Sequence, residues 1–146
     1  MKQRFVKRRL VVAAFALALV AACKSAREGW GGRGSYFFLH ESSSLQVRRG
    51  PQRIDPASGE LVLAWVGART LAGEPELVAC ELTVYDDRDG DEAPSQAEIL
   101  DRRESLEPAR KVLFGDVRTR ARSARAQLVA QTSRERCEVG WKLDAD

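Results

Sequence analysis

Very little of the usual catalytic and cofactor chemistry is present in this chain. Its 146 residues include one His, one Met, three Cys and 7% aromatics. A single histidine, His40, excludes a multi-histidine metal centre and leaves one residue for any Ser–His pairing. No GxSxG, no HExxH and no glycine-rich phosphate loop occurs. An enzyme is therefore the class least expected, and His40 reads as a strand-end residue rather than a general base. Long apolar runs are also scarce. The one uninterrupted stretch, Leu10 to Ala22, falls short of the roughly 20 residues that cross a bilayer.

What precedes that run is basic: Lys2, Arg4, Lys7, Arg8 and Arg9. A basic start, about 7–15 apolar residues and small residues before a cut have the layout of a secretory signal. The residues that close the run, Val20-Ala21-Ala22-Cys23, resemble the lipobox of bacterial lipoproteins. The resemblance implies a diacylglyceryl thioether on Cys23, cleavage before it, and a mature chain anchored to a membrane of the cell envelope. Lys24, in place of Asp, resembles the signal for sorting to an outer membrane. One acyl chain anchors only marginally, whereas two or three hold a domain in place.

Removing the leader changes the charge argument. Without its five basic residues the chain keeps 19 Lys and Arg against 21 Asp and Glu, a net −2 instead of +3. Nucleic acid is thus not an expected partner. With Cys23 lipidated, Cys80 and Cys137 remain in an oxidising compartment, and a disulfide between them is the expectation. Two buried thiols are the alternative if their Cα atoms lie beyond about 7 Å.

The organisation expected is a signal peptide over 1–22, a lipidated N-terminus and glycine-rich tether over 23–35, and one β-rich domain over 36–146. Trp30 sits in the tether, where it suits a membrane interface. Period-two alternation marks the domain. Over Leu77–Tyr85, Val78, Cys80, Leu82 and Val84 share one face, and Glu81, Thr83 and Tyr85 share the other. Cys137, Val139, Trp141 and Leu143 repeat the pattern. Further strands are expected at Tyr36–His40, Leu45–Arg49, Leu61–Gly67, Lys111–Val117 and Ala124–Gln131. Turn signals such as Gly50-Pro51 and Asp55-Pro56 separate the earlier ones. The fold class expected is mainly β, a small antiparallel sandwich or partly open barrel with at most one or two short helices. Trp65 and Trp141, within apolar alternation, read as core.

Two segments carry charge patterns of their own. In Val117–Gln131, apolar residues also recur at helical spacing, so strand and helix both stand, with strand preferred. As a strand, Arg118, Arg120 and Arg122 form a basic stripe; as a helix, Arg125 joins them on the outer side. Either arrangement is a solvated face or a site for anionic or glycan ligands of the envelope, because clustered guanidinium groups suit phosphate.

The second segment runs from Asp87 to Glu98. Its acidic residues resemble the calcium loop of EF-hands, with Asp87, Asp89 and Asp91 at positions one, three and five, the Ala93 carbonyl at seven, Ser95 at nine and Glu98 at twelve. The resemblance implies a structural Ca2+, since calcium takes six to eight hard oxygens at about 2.3–2.6 Å from a chain that curls around it. Glu92 stands where the family has glycine, and Pro94 stands where a backbone N–H pairs sister loops, which makes pairing of two such loops unexpected. The competing expectation is an acidic turn followed by a short helix. Ser95 and Glu98 have capping-box spacing, and Ile99, Leu100, Arg103 and Leu106 recur helically before Pro108.

A lipid-anchored, non-catalytic envelope module that binds a partner protein or stabilises an assembly is the function these readings imply. The alternative is a module for anionic or glycan ligands.

Overall fold

Alternating apolar residues bury one face of an extended chain, and the backbone N–H and C=O groups then need neighbouring strands as partners. The computed structural model describes residues 36–146; the leader, Cys23, Lys24 and the tether with Trp30 lie outside the described residues. Among the described residues nine strands form: β1 (Phe37–Glu41), β2 (Leu45–Arg49), β3 (Gln52–Ile54), β4 (Leu61–Thr70), β5 (Ala79–Asp86), β6 (Ile99–Ser105), β7 (Lys111–Thr119), β8 (Ala124–Gln131) and β9 (Arg136–Lys142). One 3-10 turn, Gln96–Glu98, precedes β6.

All pairings are antiparallel. In the first sheet β4 is central, with β7 along one edge and β2, then β3, along the other; β1 lies outside β2. The second sheet has the order β6-β5-β8-β9. Neither closes into a barrel, and the fold is an open two-sheet sandwich. Leu45, Val47, Leu63, Val66 and Val117 of the first sheet join Leu82, Val84, Ala126, Leu128 and Ala130 of the second in one core. Burying each Val or Leu fully is worth about 1.5–3 kcal/mol.

Gly50 and Pro51 explain why β2 and β3 are separate strands. Pro51 has no N–H for the ladder, and Trp65 lies directly over Gly50, where an added Cβ would stand 2.3 Å from the indole Nε1. The Gly50 N–H still donates to the Trp65 carbonyl, and the Ala64 N–H to the Pro51 carbonyl, so the path bends without leaving β4.

Side-chain ties join the two sheets. Glu135, in the β8–β9 turn, accepts from Ser42 Oγ, from Ser44 Oγ at 2.6 Å and from the His40 ring at 3.4 Å, all in or after β1. Arg103 of β6 donates to the carbonyls of Gly115 and Asp116 in β7. The C-terminal Asp146 pairs with Arg49 at 2.9 Å and accepts the Gln52 N–H at 2.6 Å.

The strand preference over Val117–Gln131 resolves into the end of β7, a turn and β8. The helix expected after the capping box does not form. Ile99–Ser105 is β6, which takes up the open edge of β5 through six register pairs, and Leu100 and Leu106 are left 48% and 65% exposed. Ladder bonds along that edge outweigh a helical pattern of barely two turns before Pro108. The disulfide is overturned too. Cys80 stands opposite Ala130, and Ala130 opposite Cys137. The cysteines are thus two strands apart, about 10 Å at roughly 4.8 Å per strand, beyond the ~7 Å limit for a bridge. Both are buried free thiols. Burial, with Cys137 adding to it, pushes the Cys80 thiol up to about 12, and burial, then Glu135 and Glu138, pushes Cys137 up to about 11.

The faces of β5 depart from simple alternation as well. Val78 precedes the strand and is 44% exposed, whereas Thr83 and Tyr85 are buried on what was expected to be the wet face. A register shift between Val84 and Tyr85 turns Tyr85 under the loop that follows. Trp141 is core, as expected, whereas Trp65 is only half-buried.

Candidate metal centre

The loop between β5 and β6 is held at both ends by backbone bonds. The Asp87 N–H donates to the Ser123 carbonyl, and the Glu98 N–H to the Ser95 carbonyl. Between those points short polar side chains curl the chain on itself, as aspartates do by accepting N–H groups a few residues on. Asp87 accepts the Glu92 N–H at 3.3 Å, Asp89 the Asp91 N–H at 3.2 Å, and Asp91 the Ala93 N–H at 3.0 Å. Gly90 and Glu92 both take left-handed backbone, at φ 71° and 59°. Glu92 therefore makes the turn at position six where the EF-hand resemblance expects glycine, at a cost of roughly 1–2 kcal/mol for a residue with a Cβ.

This curl brings ligand oxygens of Asp87, Asp89 and Asp91 within 4.8 Å of one another. Two oxygens on opposite sides of a calcium ion at about 2.4 Å would stand about that far apart, so the spacing suits one hard cation. Asp91's N–H pulls the Asp89 carboxyl down, but partial desolvation and the neighbouring Asp91 and Glu98 carboxylates outweigh it, and the net shift is upward. Asp91 moves down, chiefly through the Ala93 N–H and then Asp89.

Ser95 and Glu98 are placed otherwise. Ser95 Oγ donates to Glu98 at 2.7 Å, and the Arg88 N–H donates to the other Glu98 oxygen at 3.0 Å. The Glu98 carboxyl is held low by Ser95, with the Arg88 and Asp89 N–H groups adding to it. It closes the base of the loop and stands outside the three-aspartate group. Of the five side chains proposed as ligands, three are gathered and two are bonded to each other.

The arginines of Val117–Gln131 are dispersed rather than gathered. Arg118 reaches Asp116 at 3.1 Å and Asp55 at 3.2 Å, and Arg120 lies 3.7 Å from Glu60. Arg122 shares with Arg120 a cleft of about 260 Å³ whose wall includes Asp144. Arg125 belongs to β8 and sits 3.9 Å from Glu92 of the acidic β5–β6 loop. Burial pushes the Tyr85 hydroxyl up, Arg125 pulls it down, and Asp87 and Asp91 push it up again.

No local pattern of residues points to the polar cluster around Glu135. There the carboxylate is the hub, and Ser42, Ser44 and His40 all point to it. In a nucleophilic triad the imidazole stands between acid and hydroxyl; in this cluster the carboxylate stands between the imidazole and the hydroxyls, so the arrangement ties two turns together. Comparison with protein-family profiles, with curated proteins and with solved structures finds no match to this chain.

Proposed function

We propose that this chain is exported, lipidated at Cys23 and anchored to the outer membrane of a bacterial envelope, where residues 36–146 act as a non-catalytic binding or structural module. One calcium ion held by Asp87, Asp89 and Asp91 pins the β5–β6 loop of that module. The observation that carries the metal reading is the convergence of three carboxylates within 4.8 Å on a chain already curled by its own N–H contacts. The ion's task is mechanical. It offsets most of the charge of three carboxylates that repel one another and fixes a loop bordering the outer face of the second sheet. Ala93 and Pro94 of that loop border a cleft of about 450 Å³ with Glu81, Gln127 and Val129, a place for a segment of a partner protein. The export and anchoring part of the reading is supported by the basic start, apolar run and lipobox of the sequence.

Calcium titration of the mature chain carrying Cys23→Ser tests the metal. Occupancy at 100 times the dissociation constant stabilises a fold by about 2.7 kcal/mol, so a calcium-dependent rise in melting temperature is expected, and it vanishes in Asp89→Asn/Asp91→Asn. Identical melting of both proteins with and without millimolar calcium rejects the ion and leaves an acidic turn.

A further inference from the structure

The two outer faces of the sandwich differ in kind. On the second sheet, charges of both signs alternate and pair: Arg102 with Glu81 at 3.3 Å, Arg136 with Glu138 at 2.9 Å, and Gln127 with Glu138 at 2.7 Å. On the first sheet, register places Phe38, Arg48, Gly67 and Leu113 in one row across β1, β2, β4 and β7. Glu41, Gln46, Arg69 and Lys111 form the next row, and Trp65 lies beside them over Gly50. Val47, Val66, Ala68, Val112 and Phe114, between these positions, point into the core, so the rows face outward.

These two rows carry three cations and one carboxylate, Glu41, which stands at the rim; Arg53 and Arg118, paired with Val62, lie farther along the same face. Gln46 orders the cations: its Oε1 accepts from Arg48 at 3.1 Å and from Arg69 at 3.2 Å, while its Nε2 donates to Glu41. The Arg48 guanidinium stands over the Tyr36 and Phe38 rings, 4.8 and 4.5 Å from their centroids, and the two rings meet edge to face. Tyr36, Phe38 and Leu113 are 38%, 48% and 38% exposed. Burial and then Arg48 lower the affinity of Arg69 for its proton, and burial and then Arg69 do the same at Lys111. The like charges are close enough to feel one another.

We propose that this face is a membrane-docking surface, with Tyr36, Phe38, Trp65 and Leu113 at the level of the lipid headgroups and Arg48, Arg69 and Lys111 against anionic lipid phosphates. Charge complementarity supports that occupant, as do rings with a wet and an apolar side, which favour the bilayer interface. So does the geometry of the chain. Tyr36 is the first described residue and belongs to this face, and thirteen peptide links separate it from Cys23, a span of at most about 45 Å. The proposal rests on the lipid-anchor reading for delivery of the domain to the bilayer; the face binds lipid on its own account.

The test uses the mature chain from residue 23 with Cys23→Ser, which retains every described strand and core residue and has no acyl chain. Its partition onto vesicles of phosphatidylcholine with about a third phosphatidylglycerol is measured by sedimentation against rising salt. Binding that falls with salt and is absent on pure phosphatidylcholine is expected. Each cation near an anionic surface is worth roughly fivefold in partition, so Lys111→Glu should weaken binding more than fivefold, and Phe38→Ser should weaken it further. Both side chains are exposed, and unchanged melting verifies the fold. Arg102→Ser and Arg136→Ser on the opposite sheet should change nothing.

Three results overturn the proposal: no vesicle binding, binding lost in Arg118→Ser/Arg120→Ser/Arg122→Ser but kept in Lys111→Glu, or retention on heparin or an oligonucleotide without vesicle binding. Mass spectrometry of Cys23 in the full-length protein from membranes reads the anchor separately. An unacylated Cys23 with vesicle binding intact rejects the anchor alone, and an acylated Cys23 without vesicle binding rejects the docking face alone.

Discussion

Gln52→Leu probes how the C-terminal strand is fastened to the first sheet. Gln52 is 2% exposed. Its Oε1 accepts the Trp141 indole N–H at 2.9 Å, and its Nε2 donates to the carbonyls of Asp144 at 2.7 Å and Lys142 at 3.3 Å. Leucine keeps the approximate shape and removes every polar atom. A buried N–H left without a partner costs about 1–3 kcal/mol, and each lost neutral hydrogen bond about 0.5–1.5 kcal/mol. The expected loss is therefore about 3 kcal/mol, or a fall of roughly 12 °C in melting temperature at ~4 °C per kcal/mol. Trp141→Phe removes the stranded donor, so the double variant should be more stable than the summed singles by about 1–2 kcal/mol. Urea unfolding followed by far-UV circular dichroism measures all four corners of the cycle, with equal slopes verifying that the unfolded states compare. A loss under about 0.5 kcal/mol for Gln52→Leu, or strict additivity with Trp141→Phe, would refute the account of this contact.

Two further outcomes follow from the titrating groups. Glu135 is held below the ordinary glutamate value of 4.5 by Ser42 and Ser44, with His40 adding to them. A depressed folded-state value stabilises the fold above the unfolded value and is lost as pH falls through the folded one, so Glu135→Gln should lower stability at pH 7 and flatten its decline below pH 4.5; parallel pH profiles of wild type and variant would contradict this. Cys80 and Cys137, two strands apart and with thiols pushed to about 12 and 11, should resist iodoacetamide in the folded state and react on unfolding. Melting should be the same with and without reductant, and an intramolecular 80–137 cross-link found by mass spectrometry would overturn the register argument.

The β class was legible in the sequence because period two imposes it: Cys80, Leu82 and Val84 fall on one face wherever β5 pairs. The aspartate spacing of the loop was legible for the same local reason, since residues two apart in a curling chain turn their carboxylates together. Glu92 shows the limit of such a reading. Its side chain argued against the turn, yet the N–H accepted by Asp87 draws it to φ 59°. Local pattern also misled at Ile99–Leu106, where helical spacing was real and the open edge of β5 overrode it.

The sequence alone determined alternation, turns and the order of acidic residues, all of which depend on neighbours a few positions apart. Tertiary structure decided what depends on register between distant strands. It set Cys80 and Cys137 on either side of Ala130 and out of reach of each other, and it gathered Ser42, Ser44 and His40 on Glu135, more than ninety residues away. It also lined up Arg48, Arg69 and Lys111 on one face, because β2, β4 and β7 are adjacent only once the sheet has formed. Pairing register is set by the packing of whole faces against a shared core, so a shift of one residue would turn each of these side chains to the opposite side.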